Sequence, residues 1–275
     1  MSRVLERRTP RPGVWGAAVF LTLLIAAALF PGLLVSGAPN GTDRLAALQG
    51  PAADHPLGTD ANGRDLLTRI VHGARPSLLA GLGVTALSIA AGTVVGLAAG
   101  LGGRIADETL MRLVDVVLSI PTLMLALLVI TITGPGVFNT VLAIAFFMVP
   151  KYARLIRTQV AVIRRAGFVE AATSLGLTRV RIVLRHILPN AFQPLLALAT
   201  IEVGAAIVAV ASLSFLGLGA APPAPEWGAM LAGGRDYFSV AWWVAVFPGA
   251  AITLTVLSIT VLGRYLQRRL EGRPA

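Results

Sequence analysis

The chain has 275 residues, of which 56% are hydrophobic and 13% charged, and its mean hydropathy is +0.79. Soluble domains carry roughly a quarter charged residues, so an ordinary soluble enzyme is excluded. The net charge of +10 points to nucleic acid or to membrane topology, and the absence of cysteine excludes disulfides, thiol catalysis and Cys-ligated zinc.

A helix needs about 20 apolar residues to cross about 30 Å of hydrocarbon. Residues 14–35 form the first such stretch, without a charge. It follows basic residues but is longer than the apolar region of a signal peptide, so it is expected to remain as an uncleaved anchor. The next segment is expected to lie along the membrane surface. There Thr59 or Asp60 caps a helix that runs to His72 and stops at Gly73. Leu66, Leu67, Ile70 and Val71 share its apolar face, and Asp65 is placed to pair with Arg69.

The second span, residues 78–101, carries Gly92, Gly96 and Gly100, a ladder of small residues that lets another helix approach closely. The third, 113–133, is interrupted by Asp115, which is expected to pair with Arg112. After Gly134-Pro135-Gly136 comes a short fourth span, 137–149, closed by Pro150. The fifth, 192–216, contains a single acid, Glu202, and the sixth is 240–262. Pro121 and Pro248 remove helix hydrogen bonds and should kink their spans. The fold class is therefore an all-α membrane protein with six transmembrane helices. Residues 1–75 hold the tail, first span and surface segment, and residues 76–275 form a five-helix core.

Basic residues collect in short cytoplasmic loops. With the N-terminus inside, 18 of the 23 basic residues fall in inside segments and 5 in outside ones. Both termini are therefore expected in the cytoplasm. Trp15, Tyr152, Trp242, Trp243 and Tyr265 sit at span ends, where amphipathic rings prefer the headgroup region. The basic excess is thus topology, and nucleic acid is excluded as a partner.

The segment between the fourth and fifth spans, residues 150–191, holds eight basic residues and helical apolar patterning, where a plain connection needs only a few residues. Phe168, Val169, Ala172 and Leu175 define one helical face that ends at Gly176. Thr178 opens a second helix in which Val180, Val183, Leu184 and Ile187 are apolar and which stops before Pro189. Ala171 and Ala172 give this projection a surface without bulk, and Gly176 permits a sharp turn. Such a shape suits docking into another protein.

Glu170-Ala171-Ala172, three residues and then Gly176, with Ile187-Leu188-Pro189 farther on, resembles the "EAA" motif of ABC importer permease subunits. Two more stretches narrow the resemblance to dipeptide/oligopeptide/nickel permeases of the C-subunit type. One is His55-Pro56-Leu57-Gly58-Thr59-Asp60 with Gly63-Arg64-Asp65 and Gly73-Ala74-Arg75. The other is Ser214-Phe215-Leu216-Gly217-Leu218-Gly219 with Pro222-Pro223 and Trp227-Gly228. The resemblance covers residues 14–270 and implies a MetI-like permease fold.

It also implies a role for each matching residue. Glu170, Ala171, Ala172, Gly176, Leu188 and Pro189 would form a coupling region seated in a cleft of an ATPase subunit. The partners implied are a second permease subunit as heterodimer, two ATP-binding cassette ATPases and an external solute-binding protein. This sequence lacks G-x-x-x-x-G-K-[ST], so ATP and Mg are expected on the partner ATPases, with no catalysis, cofactor or metal in this chain. The expected cargo is di- or oligopeptides carried across a prokaryotic inner membrane, with nickel or another small solute as the alternative. Relatives usually carry a glutamate where this sequence has Val210. Glu202 and Asp115 are the candidates for the translocation pathway, since an ionisable group inside the membrane is costly to bury. The alternatives are an interhelical polar contact for Glu202 and the Arg112 pair for Asp115.

An enzyme and an ATP-independent secondary transporter compete with this reading. The three histidines, His55, His72 and His186, form no H-E-x-x-H, and there is no G-x-S-x-G. His55 and His72 fall outside and His186 inside, so they cannot share a site. Against a secondary transporter stands the helical inside loop, which such a protein does not need.

Overall fold

The computed structural model describes residues 12–270. Most of the basic N-terminal tail counted in the topology argument therefore lies outside the described residues. The first apolar stretch is a helix, α1 (Pro12–Leu29), followed after Phe30 by a single turn, α2 (Pro31–Leu34). Pro31 supplies the break, because a residue before proline is pushed out of helical geometry and Phe30 sits at φ −133°, ψ 58°.

The surface segment is not the expected helix. Residues 36–65 are irregular apart from a tight turn at Arg44–Ala46 capped by Asp43. Asp65, rather than Thr59 or Asp60, caps the next helix, its carboxylate accepting the Thr68 amide at 2.7 Å. That helix, α3 (Leu66–Leu101), passes Gly73 and Pro76 without stopping. Gly73 serves contact rather than termination, since a Cβ there would lie 2.1 Å from the Pro225 carbonyl oxygen. The expected surface helix and second span are thus one rod of 36 residues.

The third stretch splits into α4 (Gly103–Leu118) and α5 (Thr122–Thr133), bent by 87° around Pro121. Pro121 does more than kink the span: it occupies the extended cap position of α5. The fourth span, by contrast, is longer than expected. α6 (Val137–Ile163) runs through Pro150. A proline weakens one turn, but Tyr152, Ala153, Ile156 and Val160 beyond it are fully buried, and that packing carries the helix onward. The loop after it holds α7 (Gly167–Ser174), α8 (Arg179–Ile182), and a π-helical turn at Val183–Ile187 that feeds directly into α9 (Leu188–Phe215). The second loop helix therefore does not stop before Pro189, which follows the π-helical turn directly in the first turn of α9. α10 (Trp227–Arg235) and α11 (Trp243–Leu270) complete the fold.

Among the described residues five helices, α1, α3, α6, α9 and α11, are long and apolar enough to cross a membrane, and the bent α4–α5 pair is the sixth apolar unit. The most extensive packing joins α3 to α6, which run parallel. Along this seam Gly92 faces Val149 and Tyr152, Gly96 faces Ala153 and Ile156, and Gly100 faces Arg157 and Val160. Absent side chains let the backbones meet, and the Ser88 hydroxyl donates across to the Ala145 carbonyl at 3.0 Å. α9 lies against α3, α6 and α11, and α1 covers α11 and α3. Val210 is part of the apolar core with Ile130, Ile144 and Leu213.

At the end carrying α10, Trp227 is fully buried, its indole donating to the Ile70 carbonyl at 3.0 Å. Trp243 donates to the Thr59 carbonyl at 3.1 Å, so it pins the 36–65 segment to the bundle. Of the expected interfacial rings, Tyr152 is also inside, with no exposed surface, whereas Trp15 and Trp242 are exposed.

Candidate functional site

The loop between α6 and α9 is built to hold a short helix outward. Arg164–Ala166 turn the chain after α6, and α7 closes with the Leu177 amide donating to Ala172 and the Gly176 amide to Thr173. Gly176 sits at φ +76°, in the left-handed region that glycine occupies without strain. Val169 and Ala172 turn inward onto Ile163, Ile182 and Ile187. Ala172 is therefore buried in the protein's own core and is not available as the contact surface expected of it. Glu170, Ala171, Gly176 and Pro189 are exposed, and Leu188 is half-buried.

The apolar face read from the sequence divides between the two sides. Phe168 and Leu175 point away from the core, as do Val180 and Leu184 of the next helical stretch, leaving Leu175 82% exposed. These four apolar side chains are exposed on the same loop as the uncovered Ala171 and Gly176. The Phe168 and His186 rings lie 6.4 Å apart, tying α7 to the π-helical turn.

Between this loop and the middle of the bundle, α6 presents Lys151, Arg154 and Arg157 at intervals of three, on one helical face. Lys151 Nζ meets Glu202 Oε1 of α9 at 2.6 Å. Arg154 pairs with Asp115 of α4, and Arg157 Nε with Asp107 of α4 at 2.8 Å. Asp115 thus pairs across helices with Arg154 and not with Arg112, since residues three apart on one helix need not point at each other once a partner helix offers a closer cation. Glu202 is buried, and Lys151 meets the charge that burial would otherwise leave unpaired. The regular spacing of the three bases was visible in the sequence, but which acids they meet depends on helix packing.

At the opposite end, Arg64 Nε meets Asp60 Oδ2 at 2.7 Å, and the buried Arg69 reaches Asp60, the Pro39 carbonyl, Asn40 and the Pro223 carbonyl. Asp60, Arg64 and Arg69 line a cleft of about 310 Å³ with Pro222, Pro223 and Tyr237. Asp65 does not pair with Arg69; its carboxylate bonds His55 Nδ1 at 3.0 Å. Burial raises the Asp65 carboxyl, but the Thr68 amide and His55 outweigh it and hold it below its ordinary value. His72 Nδ1 donates to the Thr68 carbonyl at 2.9 Å. The three histidines lie in separate contacts, as their positions in the chain imply.

Residues 92–274 match the family described as binding-protein-dependent transport system inner membrane component. The di/tripeptide transport system permease of Pseudomonas aeruginosa (strain UCBPP-PA14) is 41% identical over 95% of this chain and 88% of its own length. The dipeptide transport system permease of Alkalihalophilus pseudofirmus is 41% identical over 93% of this chain and 84% of its own length. The glutathione transport system permease of Pectobacterium atrosepticum is 41% identical over 94% and 86%. Among solved structures, the inward-facing MetNI methionine ABC transporter superposes with a TM-score of 0.55 at 23% identity, covering 74% of this chain and 97% of that one, which establishes the shared fold. This chain is a multi-pass inner-membrane protein, and it belongs to the family of permease components of binding-protein-dependent ABC importers.

Proposed function

We propose that this permease carries di- or oligopeptides and passes the work of ATP hydrolysis into the membrane through α7. The cargo reading rests on relatives named for dipeptides, di/tripeptides and glutathione, all short peptide-like solutes. The coupling reading rests on one observation: α7 is braced from beneath by Val169 and Ala172 while Glu170, Ala171 and Gly176 stay uncovered, with Phe168 and Leu175 of the same loop also exposed. A separate ATPase with a cleft for α7 would cover these exposed residues, and burial of the apolar ones would give the contact strength. The positive-inside rule puts this loop and both termini in the cytoplasm. A second permease subunit, two ATPases that bind ATP and Mg, and an external binding protein complete the complex.

The route from loop to bundle is direct. α8 and the π-helical turn continue into α9 without a break in the helix, so a push on α7, passed across the Gly176 turn, reaches α9. Glu202 acts as the α6–α9 tie through Lys151 and not as a free contact for cargo.

Ala171→Glu tests the coupling role. The side chain is exposed, so folding should change by no more than about 0.5 kcal/mol. Uptake of a labelled dipeptide by the whole complex in ATP-loaded proteoliposomes should fall more than tenfold. Undiminished uptake overturns the docking role, and uptake that ignores ATP but follows an ion gradient overturns the ABC coupling itself.

A further inference from the structure

We infer that the cleft where α3, α4 and the loop end of α6 meet binds the phosphate of an anionic phospholipid headgroup. The cleft has a volume of about 480 Å³ and is lined by Arg104, Arg157, Arg164 and Arg165 with one acid, Asp107. Two of these arginines have carboxylate partners, Arg104 with Glu108 at 2.7 Å and Arg157 with Asp107. Arg164 donates only to the Gly100 carbonyl, at 2.6 Å, and Arg165 makes no ion pair among the described residues. Among the described residues the cleft therefore holds two cations without counter-ions, side by side in the chain.

Its depth selects a lipid as the source of the missing negative charge. The apolar part of α3 ends at Leu101, so Gly100 and the cleft lie at the boundary of the hydrocarbon, where headgroup phosphates sit. Ile105 and Val162, each next in the chain to a lining residue, are 84% and 65% exposed and suit contact with acyl chains. A basic pocket between membrane helices at headgroup depth is the arrangement that recognises anionic lipids. Occupied, it would bridge α3, α4 and α6 at the end of the bundle beside α7.

The test uses the purified, delipidated transporter complex titrated in mixed micelles, with bound lipid read by native mass spectrometry. Phosphatidylglycerol should bind well above phosphatidylcholine, and Arg164→Gln/Arg165→Gln should weaken it on the order of tenfold or more. Arg164→Lys/Arg165→Lys should restore it, and Arg235→Gln at the opposite end should leave it unchanged. If the double variant fails to assemble, Ala161→Glu, which adds a carboxylate to the cleft lining, carries the same expectation. Equal binding of the two lipids, or unchanged phosphatidylglycerol binding in the variants, overturns the inference. Displacement of lipid by millimolar inorganic phosphate would assign the cleft to a free oxyanion and overturn it too. So would loss of the ATPase subunits with lipid binding intact, which would make it a protein contact.

Discussion

Gly96→Ala puts the α3–α6 seam to a quantitative test. A methyl group at Gly96 would lie 2.6 Å from the Ala153 carbonyl oxygen and 2.7 Å from Ile156 Cβ, where ordinary contact begins at 3.4 Å. The first of these neighbours is backbone, so no rotamer change relieves the clash and α6 must retreat by the difference, roughly 0.8 Å. A gap of that size forfeits a quarter to a half of the dispersion attraction along the opened seam, and it stretches the Ser88 bond to Ala145. Overpacking of this kind costs about 1–3 kcal/mol, against about 1 kcal/mol returned by the better helix propensity of alanine. The net expectation is a loss of about 0–2 kcal/mol. Gly83 on the same helix is the internal control, since a Cβ there meets only Val141 Cγ1 at 3.6 Å; Gly83→Ala should be neutral or stabilising by up to about 1 kcal/mol. Thermal unfolding of both variants in the same detergent, followed by tryptophan fluorescence, gives the comparison. If Gly96→Ala is as stable as Gly83→Ala, the glycines do not set the distance between these helices and the reasoning fails.

Two further perturbations probe charge. Lys151→Met leaves the buried Glu202 carboxylate unpaired and should cost about 1–2 kcal/mol, the half-exposed lysine reducing the full penalty of a buried pair; adding Glu202→Gln should recover most of it, and a double-mutant cycle that is additive within about 0.5 kcal/mol would deny the pair. Asp65→Ala removes the α3 cap and should cost about 1 kcal/mol at neutral pH. Because the folded carboxyl is held below its ordinary value, this contribution is present above the ordinary carboxyl range and lost as pH falls through the lowered folded value. The difference between wild type and Asp65→Ala should therefore shrink in acid, and a difference that grows there contradicts the assignment.

Much of the architecture was readable because the membrane imposes it. Apolar length located the spans, and the loop at residues 150–191 stood out as too long and too patterned for a connector. The errors share one origin. Gly73 and Pro150 are strong local stop signals, and each was overridden by what the helix touches: the Pro225–Trp227 corner for one, the glycines of α3 for the other. The same limit explains Ala172, which its small side chain and the resemblance assigned to a docking surface while packing against Ile182 and Ile187 draws it inward. Asp115 illustrates it for charge, its partner Arg154 being 39 residues away in sequence. α10 escaped notice because Trp227–Arg235 is short and rich in glycine and alanine.

The unbroken run of α3 has a mechanical meaning. At 1.5 Å per residue its 36 residues make a beam of about 54 Å. Arg69 and the Trp227 indole fasten the cap formed by Pro39, Asn40, Asp60 and Pro223 to one tip of that beam, and the glycine seam fastens α6 near the other. A tilt of only 10° about its midpoint would carry each tip about 5 Å in opposite directions. Rocking at one water boundary is thereby felt at the other without any residue in between changing shape, as on a seesaw.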